Sequence, residues 1–547
     1  MPTAIAPVLY WHTLRHLRRE QIYDRVRRQV VRPHPDLSPA PALRQRTGGA
    51  WQPCDRPPCM TGPASFRFMG VERTIAASGD WNRQDWPKLW LYNAHYFDDL
   101  AAHDAGARAN WHAALISRWI AENRPASGPG WEPYPTSLRI VNWVKWALRG
   151  GSLDDGARLS LAVQTRFLHK RLETHLLGNH LWANAKALVF AGAYFEGGEA
   201  AQWLKQGLAL VRRELAEQIL ADGGHFERSP MYQAVVLGDL LDLVQLAAAF
   251  PGLFDRAYTR PWEETAERML RWLRVMSHPD GGIASFNDAA LGVAPDHQAL
   301  AAYGNALGLA GRAEPLGDIE ALPESGYFRL SAGPAVLIAD AALIGPDYIP
   351  GHAHADTLSF ELSLDGRRVV VNGGTSTYDA GEQRRRERGT AMHNTVEVDG
   401  EDSSEMWAVF RVARRARPFG VRWGRDGGTL WLEAAHNGYR RLPGRVIHHR
   451  RWELRESRLL VIDRLEGRFG EAVARFRFSP ECSIDGESGS TRELKAGTRA
   501  LRWNSADHSG EAVTPGTWHP RFGASEPCRV LELAFGGASL TTEFSWH

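Results

Sequence analysis

The segment Gly351-His352-Ala353-His354-Ala355-Asp356-Thr357-Leu358-Ser359-Phe360-Glu361-Leu362 alternates polar side chains with small or apolar ones. That alternation predicts a β-strand with His352, His354 and Asp356 on one face. Two imidazoles and a carboxylate gathered there are costly to desolvate unless they meet a metal, a charge or a reacting group. The chain has 21 His, so a plain hydrogen-bonded polar strand is the competing reading.

Three further segments carry residues of suitable type. In Leu177-Gly178-Asn179-His180-Leu181-Trp182, Asn179 and His180 stand where a breaker meets an amphipathic helix. Asn179 serves there either as an N-cap or as a neutral donor to a substrate carboxylate. In Glu227-Arg228-Ser229-Pro230-Met231-Tyr232, Ser229 and Pro230 read as the cap and first turn of a helix, placing Tyr232 at its start. A phenol in that position is either core or a general acid or base. Farther on, Asn372, Tyr378 and His393 follow the His segment. Consecutive antiparallel strands are usually neighbours, so His354, Asn372 and His393 are predicted to converge. Two imidazoles and one oxygen ligand suit Zn2+ or a similar ion.

The elements that must position these groups fall into two kinds. Residues 85 to 310 read as successive amphipathic helices, at 87–102, 107–122, 137–148, 157–175, 181–195, 200–220, 231–250 and 262–276. Such a run means helix-on-helix packing, either a solenoid or a closed (α/α) toroid. Residues 310–325, with Gly311, Pro315, Gly317 and Pro323, read as a linker. Beyond it come short β-rich runs separated by turns such as Asp365-Gly366 and Asp399-Gly400, the pattern of an antiparallel β-sandwich. The expected organisation is an extension over 1–84, a helical domain over 85–315 and a β-sandwich domain over 325–547. A cleft between the two domains is the default ligand site.

Composition bounds the function. A net charge of +2 supplies no global basic field, which argues against nucleic acid as a partner. The 21 Trp suit stacking on sugar rings, although most Trp in any protein are core. Four cysteines are too few for a disulfide scaffold, though Cys54 and Cys59 could pair in their Pro-rich loop. The amino-terminal stretch lacks an unbroken apolar run and turns basic (Arg15, Arg18, Arg19, Arg25, Arg27, Arg28), unlike a secretory signal. No stretch of the sequence reads as long enough to span a bilayer. Cytoplasmic placement is the default, with periplasmic or secreted placement open if the natural chain begins earlier.

Together these residues resemble the heparinase II/III family of polysaccharide lyases, which includes relatives acting on alginate. The resemblance is carried by Trp90-Leu91-Tyr92-Asn93-Ala94-His95-Tyr96-Phe97-Asp98 and Pro133-Tyr134-Pro135-Thr136-Ser137-Leu138-Arg139. Asn179-His180, Ser229-Pro230-Met231-Tyr232, Gly351-His352-Ala353-His354-Ala355-Asp356 and His393-Asn394-Thr395-Val396 continue it. It implies an (α/α) toroid followed by an antiparallel β-sandwich, with the active cleft at their junction. It also implies β-elimination on a uronic-acid-containing polysaccharide. Asn179, with His180, takes the position of the carboxylate-neutralising residue. Tyr232 matches the catalytic Tyr, His352 the catalytic His and Tyr378 a second catalytic Tyr of alginate-cleaving members. Trp131, Tyr134, Arg139, Glu227 and Arg388 are the candidates for holding the sugar. His354, Asn372 and His393 fall where the family has His, Asp and His around a metal, and Asn372 departs from that pattern. Asp356 or Asp379 is a candidate to compensate. Two other functions stay open: a glycoside hydrolase using Glu227 with Asp222, Asp288 or Asp356, and a non-catalytic polysaccharide-binding protein in exopolysaccharide assembly.

Overall fold

A computed structural model describes residues 7–52, 54–309, 315–483 and 492–547. The predicted linker begins at 310–314, outside the described residues. On one side of it lie helices and on the other antiparallel sheets.

The helical half is organised around Gly178–Tyr194, which packs on Pro133–Leu148, Asp155–His169, Gly198–Gln218 and Pro230–Ala249. Small residues allow this. A Cβ at Gly192 would sit 2.6 Å from the Leu204 backbone nitrogen, and one at Gly207 2.8 Å from that of Val189. Only glycine at these two positions lets the helices approach so closely. Helix starts are marked by side-chain caps: Asp154 accepts from the Ala157 N–H, Ser229 from Tyr232, Asp255 from Ala257 and Asp296 from Ala299. Pro230–Ala249 is long and apolar enough to cross a membrane, and it is mostly buried as a core helix.

The β half begins as a sequential five-stranded meander (Ile319–Leu322, Tyr327–Ala332, Ala335–Asp340, Phe360–Leu364, Arg367–Val370). A seven-stranded and a four-stranded sheet follow, and the Val370–Phe478 bridge joins the four-stranded sheet to the meander. All three sheets share one core. Phe360 of the meander lies 6.5 Å from Trp452 of the seven-stranded sheet and 6.0 Å from Phe476 of the four-stranded one.

Two expectations are corrected here. Residues 351–359 form a loop, not a strand, and pairing starts only at Phe360. The alternation arose because both histidines turn to a single partner in another segment, described below. Cys54 and Cys59 are not paired; all four cysteines are free thiols. The first 84 residues contribute two helices, Pro7–Leu14 and Arg19–Val30, and a three-stranded meander at 60–74. The two helices touch both halves: Thr13 donates to the Val412 carbonyl at 3.2 Å, and Arg28 to that of Leu172 at 2.6 Å.

The sandwich core fixes the end of the His loop through one ion group. Buried Arg450 donates to the carbonyls of Leu358 (2.9 Å) and Asn394 (2.5 Å), and Asp463 holds its guanidinium by two hydrogen bonds. Burial alone would push the Asp463 carboxyl up. Arg450 and the His448 N–H, 2.6 Å away, outweigh it and hold the pKa at about 2. Asp463→Ala leaves a buried, unpaired guanidinium and should cost about 3–5 kcal/mol, read from urea unfolding at neutral pH. The folded carboxyl sits below its unfolded value of about 3.9, so its contribution is complete above that pH and lost as pH falls toward 2. The stability gap between wild type and variant should therefore narrow on acidification from about pH 4. A gap constant with pH would show that Asp463 acts through packing and not charge.

Candidate active site

The site is built on a buried carboxylate, Asp288, in the segment between helices Arg256–Val275 and His297–Ala306. Its Oδ2 accepts from His352 Nδ1 at 2.9 Å and its Oδ1 from His354 Nε2 at 2.8 Å. Both nitrogens of the Arg384 fork also donate to it, Nη2 at 2.7 Å. Burial opposes the charge. Arg384 and the two imidazoles outweigh burial and keep Asp288 ionised well below the usual carboxylate range. Backbone contacts align the segments: the Asp288 N–H donates to the His352 carbonyl at 2.9 Å, and the His354 N–H to Asn287 Oδ1 at 2.9 Å. Asp356 leaves the pair and accepts from the Asn287 N–H.

With Nδ1 donating to Asp288, the His352 tautomer places the lone pair on Nε2. The Tyr232 ring lies 4.0 Å from the imidazole, centroid to centroid. Tyr232 stands at the start of Pro230–Ala249, where its N–H meets the Ser229 hydroxyl at 3.2 Å, and Ser229 in turn donates to the Asp288 carbonyl. The phenols of Tyr232 and Tyr378 are 3.2 Å apart, and the Tyr378 hydroxyl is 3.5 Å from His352 Nδ1. Burial first, then the mutual phenol contact, raises the Tyr232 pKa well above the ordinary value. Both rings thus hold their protons at neutral pH.

Asn179 lies in the first turn of Gly178–Tyr194, and its amide side chain makes no hydrogen bond among the described residues. Gly178 before it has φ +54°, and a Cβ there would lie 2.7 Å from Glu227 Oε1. Glu227 is buried with no hydrogen bond to either oxygen, and His352 Nε2 lies 3.6 Å from Oε2. Burial pushes its carboxyl up, and the neighbouring His352 only partly offsets this. His180 gives Nδ1 to Glu173 at 3.2 Å, and Glu173 raises its pKa despite burial. The Tyr134 ring lies 4.6 Å from that of His180. Asn179, His180, Tyr134, Glu227, Tyr232, His352 and Tyr378 are thus brought to one region.

Three sequence candidates go elsewhere. Trp131 packs on Trp119 and Phe167 and donates to the Asn123 carbonyl. Arg139 lies over Trp119 at 3.8 Å and donates to Gln164 and to the carbonyls of His95 and Gly130. None of these partners belongs to the cluster, and a buried guanidinium with its donors so used has none facing a sugar. Arg388 donates to the carbonyls of Ala353, Ala408 and Val409, pinning the backbone between the two histidines. Burial, then Arg384, lowers its pKa to about 9. Sequence alone suggests Asp288 only as a hydrolase carboxylate and does not single out Arg384. The i, i+4 spacing of Arg384 and Arg388 was the available signal, because it turns both inward from one short helix.

The expected metal trio converges in part. His354 Nδ1 and His393 Nε2 make no hydrogen bond, and their rings are 5.3 Å apart. Asn372 Oδ1, however, already accepts from His393 Nδ1 at 2.9 Å and from Ser359 at 3.2 Å, while Nδ2 donates to the Ser285 carbonyl. Two donors fit an ion and the third is committed, so the trio as arranged does not fit a closed Zn2+ site. Among the described residues no three His, Cys, Asp or Glu converge as ligands. Chelator-dialysed protein re-exposed to zinc should retain well under one ion per chain by elemental analysis. Asn372→Asp, which supplies an anionic oxygen, should raise that content. Stoichiometric zinc in the wild type would overturn this account.

A profile of the heparinase II/III N-terminus matches residues 158–304, and one of the heparinase II/III-like C-terminal region matches 314–547. The chain is 27% identical over 317 residues to a heparin-sulfate lyase of Bacteroides stercoris, covering 53% of this chain and 44% of that protein. A heparin-sulfate lyase of Pedobacter heparinus is 26% identical, covering 42% of this chain and 38% of that protein. An FtsZ-localized protein C of Caulobacter vibrioides is 27% identical over 49% of this chain and 45% of its own length. The chain thus matches less than half the length of these relatives. Among solved structures, heparinase III superposes with a TM-score of 0.69 at 18% identity, covering 86% of this chain and 80% of that one. A heparan sulfate lyase HepC mutant from Pedobacter heparinus gives 0.60 at 18%, covering 96% and 88%. These likenesses show the fold: a helical (α/α) half followed by antiparallel sheets.

Proposed function

The chain belongs to the heparinase II/III family, and from that premise we propose that it is a polysaccharide lyase cleaving a uronic-acid-containing polymer by β-elimination. The observation that carries the reading is the run of contacts from Tyr232 to Tyr378 to His352, with His352 alone held by Asp288, beside the unpaired Asn179 amide.

The C5 proton of a uronate is too weakly acidic to leave at neutral pH, so charge must be drawn into the adjacent carboxylate. The Asn179 amide donates to that carboxylate, and His180, made easier to protonate by Glu173, adds positive charge nearby. His352 Nε2, oriented by Asp288, takes the C5 proton. The C5–H electrons form the C4–C5 double bond as the C4–O bond breaks, and Tyr232 passes its proton to the departing oxygen. A phenol with a raised pKa keeps that proton until the leaving oxygen gains charge. Tyr232 is the alternative base for the opposite C5 configuration.

Hydrolysis draws less support. Glu227 would need a second carboxylate, and the candidates are committed: Asp288 to Arg384 and two imidazoles, Asp222 to Ser325, Asp356 to Asn287. The test is a panel of heparan sulfate, hyaluronan, alginate and bacterial exopolysaccharides, followed by ultraviolet absorbance of an unsaturated uronide. Tyr232→Phe and His352→Ala should each lower the rate by about 100-fold or more. Full activity in both would end the assignment. New reducing ends without absorbance would indicate hydrolysis, and polymer binding without turnover a non-catalytic role.

A further inference from the structure

The helix Arg19–Val30 is built inside out. Two of its polar residues face the protein: Gln21 donates to the Tyr348 carbonyl at 3.3 Å, and buried Asp24 holds Arg28 at 2.8 Å. Its apolar residues face away. Ile22, Tyr23, Val26 and Val30 form one exposed stripe, with Tyr23 71% and Val30 79% exposed. Helix Pro7–Leu14 continues it with Val8, Leu14 and Trp11, the last 66% exposed. Ten of the seventeen large exposed apolar side chains among the described residues lie between positions 8 and 37. A patch of this kind on a folded chain marks a surface that something covers.

Charge identifies what covers it. Positions 7–35 hold seven Arg against two carboxylates. Asp24 is buried, and Glu20, half-exposed, lies 3.9 and 3.8 Å from Arg18 and Arg213. Exposed Arg15, Arg19 and Arg32 therefore stand beside the apolar residues, and with the other Arg they outnumber the half-exposed Glu20 and Asp36. At the end of the stripe lies a cavity of about 270 Å³ lined by Arg27, Arg28, Arg32, Lys170 and Arg171 together with apolar Val31, Pro33, Ala126 and Phe167; Arg27 and Arg28 also pair with buried Asp24, and no acid lines the wall.

We propose that this face docks on an anionic phospholipid surface, the stripe entering the headgroup region and the basic cavity receiving a lipid phosphate. Trp and Tyr with aliphatic residues on one face, flanked by Arg, are the features that hold a helix in that interface. Arg donors match phosphate oxygens in geometry as well as charge. The face includes none of the residues gathered around Asp288, so the proposal stands apart from the catalytic reading.

The full chain is sedimented with phosphatidylcholine vesicles and with vesicles containing phosphatidylglycerol. Binding should be at least about tenfold tighter to the anionic vesicles and should weaken with added salt. Trp11→Glu with Val26→Glu should lower it by about tenfold or more, whereas Trp11→Phe should retain it. Arg32→Glu with Lys170→Glu should remove the preference for anionic lipid. Trp423→Glu, at an exposed aromatic of the β half, should change nothing. Circular dichroism checks that each variant is folded. Equal vesicle binding by wild type and the Trp11/Val26 variant overturns the proposal. So does a wild-type dimer that this variant converts to monomer, which would assign the face to a second copy. Capture of soluble anionic oligosaccharide by the basic cavity without vesicle binding overturns it as well.

Discussion

A single buried carboxylate constrains the region where the two halves meet. Asp288 belongs to the helical half, while His352, His354 and Arg384 belong to the β half. An ionised group without solvent is tolerable only when its oxygens are filled by donors, and five donors fill them here, Thr375 Oγ1 at 3.4 Å being the fifth. The same requirement explains why a loop with no ladder bonds holds two imidazoles at fixed angles. Order comes from side chains converging on a charge. Arg388 and Arg450 extend it by occupying loop carbonyls at Ala353 and Leu358.

Around that anchor the groups divide by environment. Buried phenols keep their protons, whereas a carboxylate gripped by a guanidinium loses its own. Glu227 sits between these extremes, with an imidazole 3.6 Å away and no hydrogen bond. An amide, a phenol and an imidazole, each with a different charge tendency, thus share one wall.

The sequence was legible where periodicity governs. Amphipathic helices such as Gly198–Gln218 stand out because each must bury one face, and strands such as Ala335–Asp340 because turns bound them. The loop at 351–359 misled, because period-two alternation says nothing about whether a neighbouring strand exists to pair with. Trp131 and Arg139 misled by residue type: an indole and a guanidinium that suit a sugar also suit each other's company in a core. Asp288 could not be singled out, since its role depends on donors 64 to 96 positions away. Tyr232 was easier to find, because Ser229 and Pro230 announce the helix start that places it.

The division of Asp288 from its partners has a mechanical consequence. Prising the halves apart would strand a bare anion against two imidazoles and a guanidinium, so separation disarms the cluster and is opposed by it at once. Whatever reaches these groups therefore meets two halves whose spacing is set by one ion cluster and not by a hinge.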